Sequence, residues 1–338
     1  MIAIAYTSPF VPAEWIAAHG LRPWRVLPRQ RPEPSSGLRE GLCPFAQAFI
    51  GELAGAEAVS AAVFTTTCDQ MRRAPELLAE RTDLPVFLLN VPATWQTPSA
   101  ADMYLNELRR LGRFLQRVGG HAPTSEQLSG VMIAYESART ATVALRPQLS
   151  ARQFAERLCR LSHIGADEVS DSANGVCVVA ANSAADHGAH RDGIPIALVG
   201  GPLDEDAMTV LDILEQSGGR VVLDGTETGE RSLPGAFDRR RMRDDPLAEL
   251  ARAYFGAIPD AFRRPDTMLY EWLRTKLDER RPRGLVIVRQ VWCDLWHAEA
   301  GRLKEWAGLP VLDLDVSGAA GAAASLSARI QAFLEVLR

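Results

Sequence analysis

The sequence predicts an α/β protein of two lobes, each a parallel sheet covered by helices, joined by a helical segment. Three observations predict it. Short β-rich runs alternate with amphipathic helical stretches toward both ends of the chain, the pattern of a parallel sheet with crossover helices. The middle, from about residue 99 to 162, is almost wholly helical in pattern. At 338 residues and 47% hydrophobic, the chain is long enough for about two domains of roughly 150 residues each, and each could hold its own core. In the first lobe, residues 1–98, the strands are Ile2–Tyr6, Arg22–Val26, Ala61–Thr65 and Val86–Leu89, with helices near Ala13–Ala18, Pro44–Ala54 and Met71–Arg81. The bridge, residues 99–190, carries helices Ala101–Val118, Ser125–Arg146 behind the candidate cap Pro123-Thr124, and Ala151–Leu161. The second lobe, residues 191–338, restarts at strand Ile194–Val199, breaks at Gly200-Gly201-Pro202, and repeats the alternation. It runs through helix Asp204–Gln216, strand Arg220–Leu223, helices Pro246–Phe255 and Thr267–Arg280, strand Gly284–Val288, helix Asp294–Trp306, strand Val311–Leu314 and a final helix through Arg329–Leu337. The fold class is therefore two Rossmann-like (flavodoxin-like) lobes, although no repeat is visible in the sequence itself.

Composition excludes several function classes. A net charge of −5 with pI near 5.8 offers no basic field for nucleic acid. The run Arg239-Arg240-Arg241-Met242-Arg243 is flanked by Asp238, Asp244 and Asp245, which makes it a solvated face or loop. Met1 to Tyr6 is a short apolar run without a basic leader or cleavage site, and no stretch approaches the roughly 18 apolar residues that a membrane span needs. The expectation is a cytoplasmic protein with no membrane contact. Five cysteines, an odd number without regular spacing, argue for reduced thiols and against a secreted disulfide framework.

Three of those cysteines occupy polar, turn-like settings: Cys43 in Gly41-Leu42-Cys43-Pro44-Phe45, Cys68 in Thr65-Thr66-Thr67-Cys68-Asp69, and Cys293 in Val291-Trp292-Cys293-Asp294. Each would sit at the end of an element, where a helix N-terminus stabilises thiolate. Cys159 and Cys177 lie inside apolar-periodic segments and read as small core hydrophobes. In open α/β sheets the functional crevice lies at the carboxyl ends of the strands. Cys68 directly follows Ala61–Thr65, Cys293 follows Gly284–Val288, and the loop from Pro28 to Gly41 can carry Cys43 to the same place. Thiolates are soft donors suited to iron-sulfur clusters. A zinc site from these three and a histidine remains an alternative, but structural zinc sites usually show a close ligand pair, whereas the gaps here are 24 and 224 intervening residues. His187 and His190 have an i, i+3 spacing that a metal could use, although Gly188 between them favours a plain loop. His297 reads as a residue of the helix after Cys293. Gly200-Gly201-Pro202 lacks both the G-x-G-x-x-G pattern and a P-loop lysine, so its role is a tight strand-to-helix turn.

The set of motifs resembles one family: the iron-sulfur subunits of 2-hydroxyacyl-CoA dehydratases and their relatives, the ATP-dependent benzoyl-CoA reductases. The resemblance starts at Tyr6-Thr7-Ser8-Pro9-Phe10-Val11-Pro12-Ala13-Glu14 and Ala18-His19-Gly20-Leu21-Arg22-Pro23. It continues through Cys43-Pro44-Phe45, Thr66-Thr67-Cys68-Asp69, Asn90-Val91-Pro92, Gly200-Gly201-Pro202 and Trp292-Cys293-Asp294. It implies one 4Fe-4S cluster held by Cys43, Cys68 and Cys293, with one iron left without a cysteine where a substrate could bind. It also implies a similar second iron-sulfur subunit, a separate ATP-hydrolysing activator protein that delivers single electrons, and an acyl-CoA thioester substrate. The reaction so implied is elimination of water from a 2-hydroxyacyl-CoA through a ketyl radical. A subunit of an aryl-CoA reductase, or a non-catalytic electron-relay or scaffold subunit, remains the alternative. Ser8, in the loop after the first strand, is the candidate to hydrogen-bond the thioester or the open iron. Glu14 reads as a first-turn acid favoured by the helix dipole, and Asp69 and Asp294 read as helix-start residues more than as chemistry.

Overall fold

The computed structural model describes residues 2–29, 42–162, 192–316 and 322–338. Strands β1 (Ala3–Tyr6), β2 (Arg22–Arg25), β3 (Val59–Thr65) and β4 (Val86–Leu89) form one sheet, parallel throughout, in the order β2-β1-β3-β4. Strands β5 (Ile194–Gly200), β6 (Gly219–Gly225), β7 (Gly284–Gln290) and β8 (Val311–Val316) form a second parallel sheet in the matching order β6-β5-β7-β8. Parallel sheets are buried on both faces, which is why their strands read as continuous apolar runs: all four residues of β1 are buried, as are Ile196 to Val199 of β5. With twelve helices among the described residues, this is the α/β fold of two Rossmann-like lobes that the sequence predicts.

The helices of the first half are α1 (Ala13–Ala18), α2 (Pro44–Gly55), α3 (Asp69–Ala79), α4 (Pro98–Arg117), α5 (Ser125–Ala144) and α6 (Ala151–Leu161). In the second half they are α7 (Thr209–Gln216), α8 (Arg239–Asp244), α9 (Pro246–Phe255), α10 (Thr267–Arg280), α11 (Asp294–Trp306) and α12 (Ala322–Val336). Each sheet has a core on both faces. Helices α2 and α3 cover one face of the first sheet around Phe49 and Phe64. Its other face packs on α1, α4, α5, α6 and α9, through Ile4, Tyr104, Met132, Phe154 and Phe255. The second sheet is covered by α7 and α12 on one face and by α10 and α11 on the other. Helix α9 lies between β6 and β7 of the second lobe in sequence yet packs on α4 and α5 of the first half.

Three of the differences from the expected elements have a local reason. The helix expected from Asp204 begins at Thr209, because the Asp204 carboxylate accepts the Ala207 N–H at 2.8 Å and holds the chain in a turn. Helix α5 stops at Ala144, one turn after which Pro147 allows only a short 3-10 turn. Its start carries the expected Thr124 cap as a full capping box with Gln127. The arginine run forms the short helix α8, capped by the Asp238 carboxylate on the Arg240 and Arg241 N–H groups, and Arg239 pairs with Glu136.

Buried polar side chains link the layers. Glu14 is fully buried, where it pairs with Arg139 of α5 and accepts the Tyr254 hydroxyl of α9 at 2.5 Å. It is thus an internal tie of α1 to two other helices. Arg25, at the end of β2, donates to the Thr7 carbonyl at 3.1 Å, the Ser232 hydroxyl at 3.1 Å and the Glu227 carbonyl at 2.7 Å. It joins the carboxyl edge of the first sheet to the loop that follows β6.

Candidate functional site

In a sheet of this strand order the chain reverses direction between its first and third strands, which opens a crevice at their carboxyl ends. Here two such crevices meet in one cavity of about 270 Å³. The first sheet contributes Thr7 and Ser8 after β1 and the run Thr65 to Asp69 at the end of β3. The second contributes Pro202 after β5, Glu227 after β6, and Gln290, Trp292 and Cys293 at the end of β7. Cys43 also lines it.

Cys43, Cys68 and Cys293 are the N-cap residues of α2, α3 and α11, so three helix N-termini carry a thiol to one cavity. Pro44 at the first position of α2 suits a helix start. The Cys43 N–H donates to Gln70 Oε1 at 3.0 Å, which locks the first thiol to the first turn of α3. The Cys68 sulfur accepts the Met71 N–H at 3.4 Å. Before Cys293 the chain turns through Trp292, a non-glycine residue at φ 66°; a left-handed residue of this kind costs about 1 kcal/mol. Its indole is 58% exposed at the cavity rim. Gly200 and Gly201 allow the close approach on the opposite wall. A Cβ on Gly200 would lie 1.9 Å from the Val288 carbonyl oxygen, and one on Gly201 would lie 3.9 Å from Cys293 Sγ and 3.3 Å from Trp296 Cδ1.

Burial dominates the electrostatics of the thiols. It pushes Cys43 up to about 11, against the pull of the Ala46 and Phe45 N–H groups, and Cys68 and Cys293 up to about 12, against the Met71 and Trp296 N–H groups. The helix termini therefore soften the cost of a thiolate without overcoming it. Each thiol is also raised by another of the three: Cys43 by Cys68, Cys68 by Cys293, and Cys293 by Cys43. A bound cation deprotonates a coordinating thiol outright, and the donor set, three soft thiols backed by helix N-termini, fits an iron-sulfur group in kind. Among the described residues, no three or more His, Cys, Asp or Glu side chains lie close enough together to hold one metal ion. The thiols share a cavity without meeting at a point.

Ser8 is 4% exposed and its oxygen accepts the Phe10 N–H at 3.3 Å, which leaves its hydroxyl proton free to donate. Asp69 and Asp294 line the cavity from exposed positions, and Asp69 pairs with Arg72 at 2.8 Å. His297 is an exposed residue of α11. Cys159 is buried on α6, away from the cavity. Cys177, His187 and His190 lie outside the described residues. No helix among the described residues is long and apolar enough to cross a membrane.

Sequence reasoning missed several polar residues that line the cavity, among them Glu227, Asp260 and Gln290. Glu227 is pushed up to about 7 by burial and then by Asp260, against Arg231 and Arg25. Asp260 pairs with the fully buried Arg231, whose guanidinium also donates to the carbonyls of Gly200, Gly225 and Pro259, each at 2.9 Å. The rule that singled out Cys68, a position just past the carboxyl end of a strand, also reaches Glu227 and Gln290 once β6 and β7 are given their full length.

A search of curated proteins finds no match to this chain. The model of one protein family, described as 2-hydroxyglutaryl-CoA dehydratase, D-component, matches residues 9–337. That span is nearly the whole chain and takes in all three cavity cysteines and every strand after β1, and on it the chain belongs to the 2-hydroxyglutaryl-CoA dehydratase D-component family.

Proposed function

We propose that this chain is the iron-sulfur subunit of a 2-hydroxyacyl-CoA dehydratase-like enzyme, with a 4Fe-4S cluster held by Cys43, Cys68 and Cys293. The observation that carries the reading is the cavity itself: three thiols from three helix N-termini line it together with Ser8. A cluster of several irons spans thiols that share a cavity without meeting at a point, which a single zinc ion does not. When bound, the cluster would supply one electron at the negative end of the roughly −700 to +450 mV range such groups cover.

The net reaction is loss of water from a 2-hydroxyacyl thioester. One electron enters the thioester, hydroxide leaves C2, a proton leaves C3, and the electron is returned, so no net oxidation occurs. The chain's own residues have three tasks. The Ser8 hydroxyl donates to the thioester oxygen as negative charge develops there, the stage at which a fixed donor is most effective. The walls from the two sheets exclude water. The buried Arg231 holds the ends of β5 and β6 and the Asp260 loop in place around the ligand. The family resemblance implies that a similar second subunit and an ATP-hydrolysing activator protein complete the system, and this sequence carries no nucleotide-binding motif of its own.

Anaerobic purification followed by iron and sulfide analysis tests this reading. About four of each per chain are expected, and a colourless protein without iron would sink it.

A further inference from the structure

Resting on that reading, we infer that Gln290 reads the hydroxyl group of the ligand and makes the cavity selective for 2-hydroxyacyl thioesters over thioesters that lack it. Gln290 ends β7, lines the cavity and is 1% exposed. Its Nε2 donates to Asp204 Oδ2 at 3.4 Å, while its Oε1 has no hydrogen-bond partner. The sense of the amide is set by that neighbour, because a flipped amide would oppose its oxygen to a carboxylate. A buried acceptor without a donor is rare, and its cost is recovered when a ligand supplies the missing donor.

Several other polar groups of the cavity are already engaged. Thr65 and Thr67 hydroxyls bond each other at 3.0 Å, and Thr66 bonds Asn90 at 3.0 Å. Asp260 is taken by Arg231 and by the Phe262 N–H. The first lobe thus presents a spare donor at Ser8. The second holds a buried acceptor without a partner, Oε1 of the cavity-lining Gln290, with the acid Glu227 on the same side. A 2-hydroxyacyl thioester has the complementary pair, an accepting carbonyl oxygen and a donating hydroxyl on the adjacent carbon. A simple acyl or aroyl thioester satisfies Ser8 and leaves Gln290 Oε1 unpaired. The selectivity therefore belongs to Gln290, with Asp204 as its positioning residue.

The test is a set of dissociation constants for the anaerobic, cluster-loaded chain with lactoyl-CoA, propanoyl-CoA and benzoyl-CoA. Lactoyl-CoA should bind roughly 10- to 100-fold more tightly than propanoyl-CoA, the range for leaving one buried acceptor unpaired. Gln290→Met should bring that ratio to about 1 through weaker lactoyl-CoA binding, with propanoyl-CoA binding, cluster absorbance and thermal unfolding retained. Gln290→Asn, which keeps an amide but withdraws it by one carbon, should reduce the ratio in the same direction and provides a second variant should the first fold poorly. A wild-type ratio near 1, as a bound water on Oε1 would give, overturns the inference, as does a ratio unchanged in folded variants. If the wild type binds none of the three thioesters, the acyl-CoA reading itself fails and this inference with it; if lactoyl-CoA binds without any hydroxyl preference, only the inference fails.

Discussion

At Cys68, a helix N-terminus and the Met71 N–H favour thiolate while burial opposes it, and burial prevails, pushing the thiol up to about 12 from the ordinary 9.0. A thiol raised in this way holds far less thiolate at pH 8 than an ordinary one, and the thiolate is the nucleophile. Metal-free protein should therefore be alkylated at Cys68 far more slowly than a free thiol in the same solution. The rate should rise about tenfold per pH unit through pH 10; levelling near pH 9, the ordinary value, would show that burial does not govern this thiol. With the cluster assembled, Cys68→Ser should remove most of the visible absorbance, since a serine hydroxyl stays protonated where thiolate binds iron. Cys159→Ser, a change inside the core far from the cavity, should keep the absorbance and cost stability only. Ser8→Ala should leave the spectrum intact and lower turnover by on the order of 100-fold, as loss of other donors to a developing oxyanion does. An unchanged rate would reduce Ser8 to a turn residue bonded to Phe10.

What links residue to element is the set of side chains that fix the strand ends, and Arg231 is the chief of them. It satisfies carbonyls at the ends of β5 and β6 and pairs with Asp260, all at the cavity wall. Lysine cannot reproduce a planar fork serving several acceptors, and breaking a buried pair costs about 3 to 5 kcal/mol. Arg231→Lys should lower the free energy of urea unfolding by about 3 kcal/mol and also impair cluster retention. Glu14→Gln provides the control, because it breaks a comparable buried pair with Arg139 away from the cavity. It should destabilise by a similar amount yet keep the cluster in the folded protein, and equal loss of iron from both variants would argue that retention follows global stability alone. The same distinction explains what was legible in the sequence. Thr65-Thr66-Thr67-Cys68 could be placed because a strand, its end and its thiol are contiguous. Helix α8 was not expected, because its capping Asp238 and its arginines read as solvated charge while its anchor Glu136 lies about a hundred residues earlier. Glu14 looked like a dipole acid because its partners Arg139 and Tyr254 are brought to it only by helix packing. Gln290 and Glu227 stayed hidden because their place in the cavity depends on how far β7 and β6 extend and on which strands they adjoin.

On the scale of the whole molecule, two sheets of identical strand order point their carboxyl ends at one cavity, the first bringing Cys43 and Cys68 and the second Cys293. The contacts of Arg25 with Ser232 and Glu227 help hold that meeting closed. A site shared between lobes can exclude water and bind a thioester, but reducing a thioester also requires an electron at very low potential. No motif in the chain couples ATP hydrolysis to that step. On the proposed reading the electron comes from an external donor, and the cavity rim offers a place for it to enter: Trp292, exposed on a strained turn, adjoins Cys293. The isolated chain, loaded with its cluster and given a mild chemical reductant, should therefore bind a 2-hydroxyacyl-CoA without turning it over. Addition of the second subunit and an ATP-hydrolysing activator, with ATP, should restore turnover. Replacing Trp292 by Ala should slow electron delivery in that assembled system more than it weakens thioester binding, because its ring faces solvent. Turnover at an enzymatic rate by the chain alone, without activator or ATP, would show that the electron does not need to be energised elsewhere and would overturn the dependence argued from this architecture.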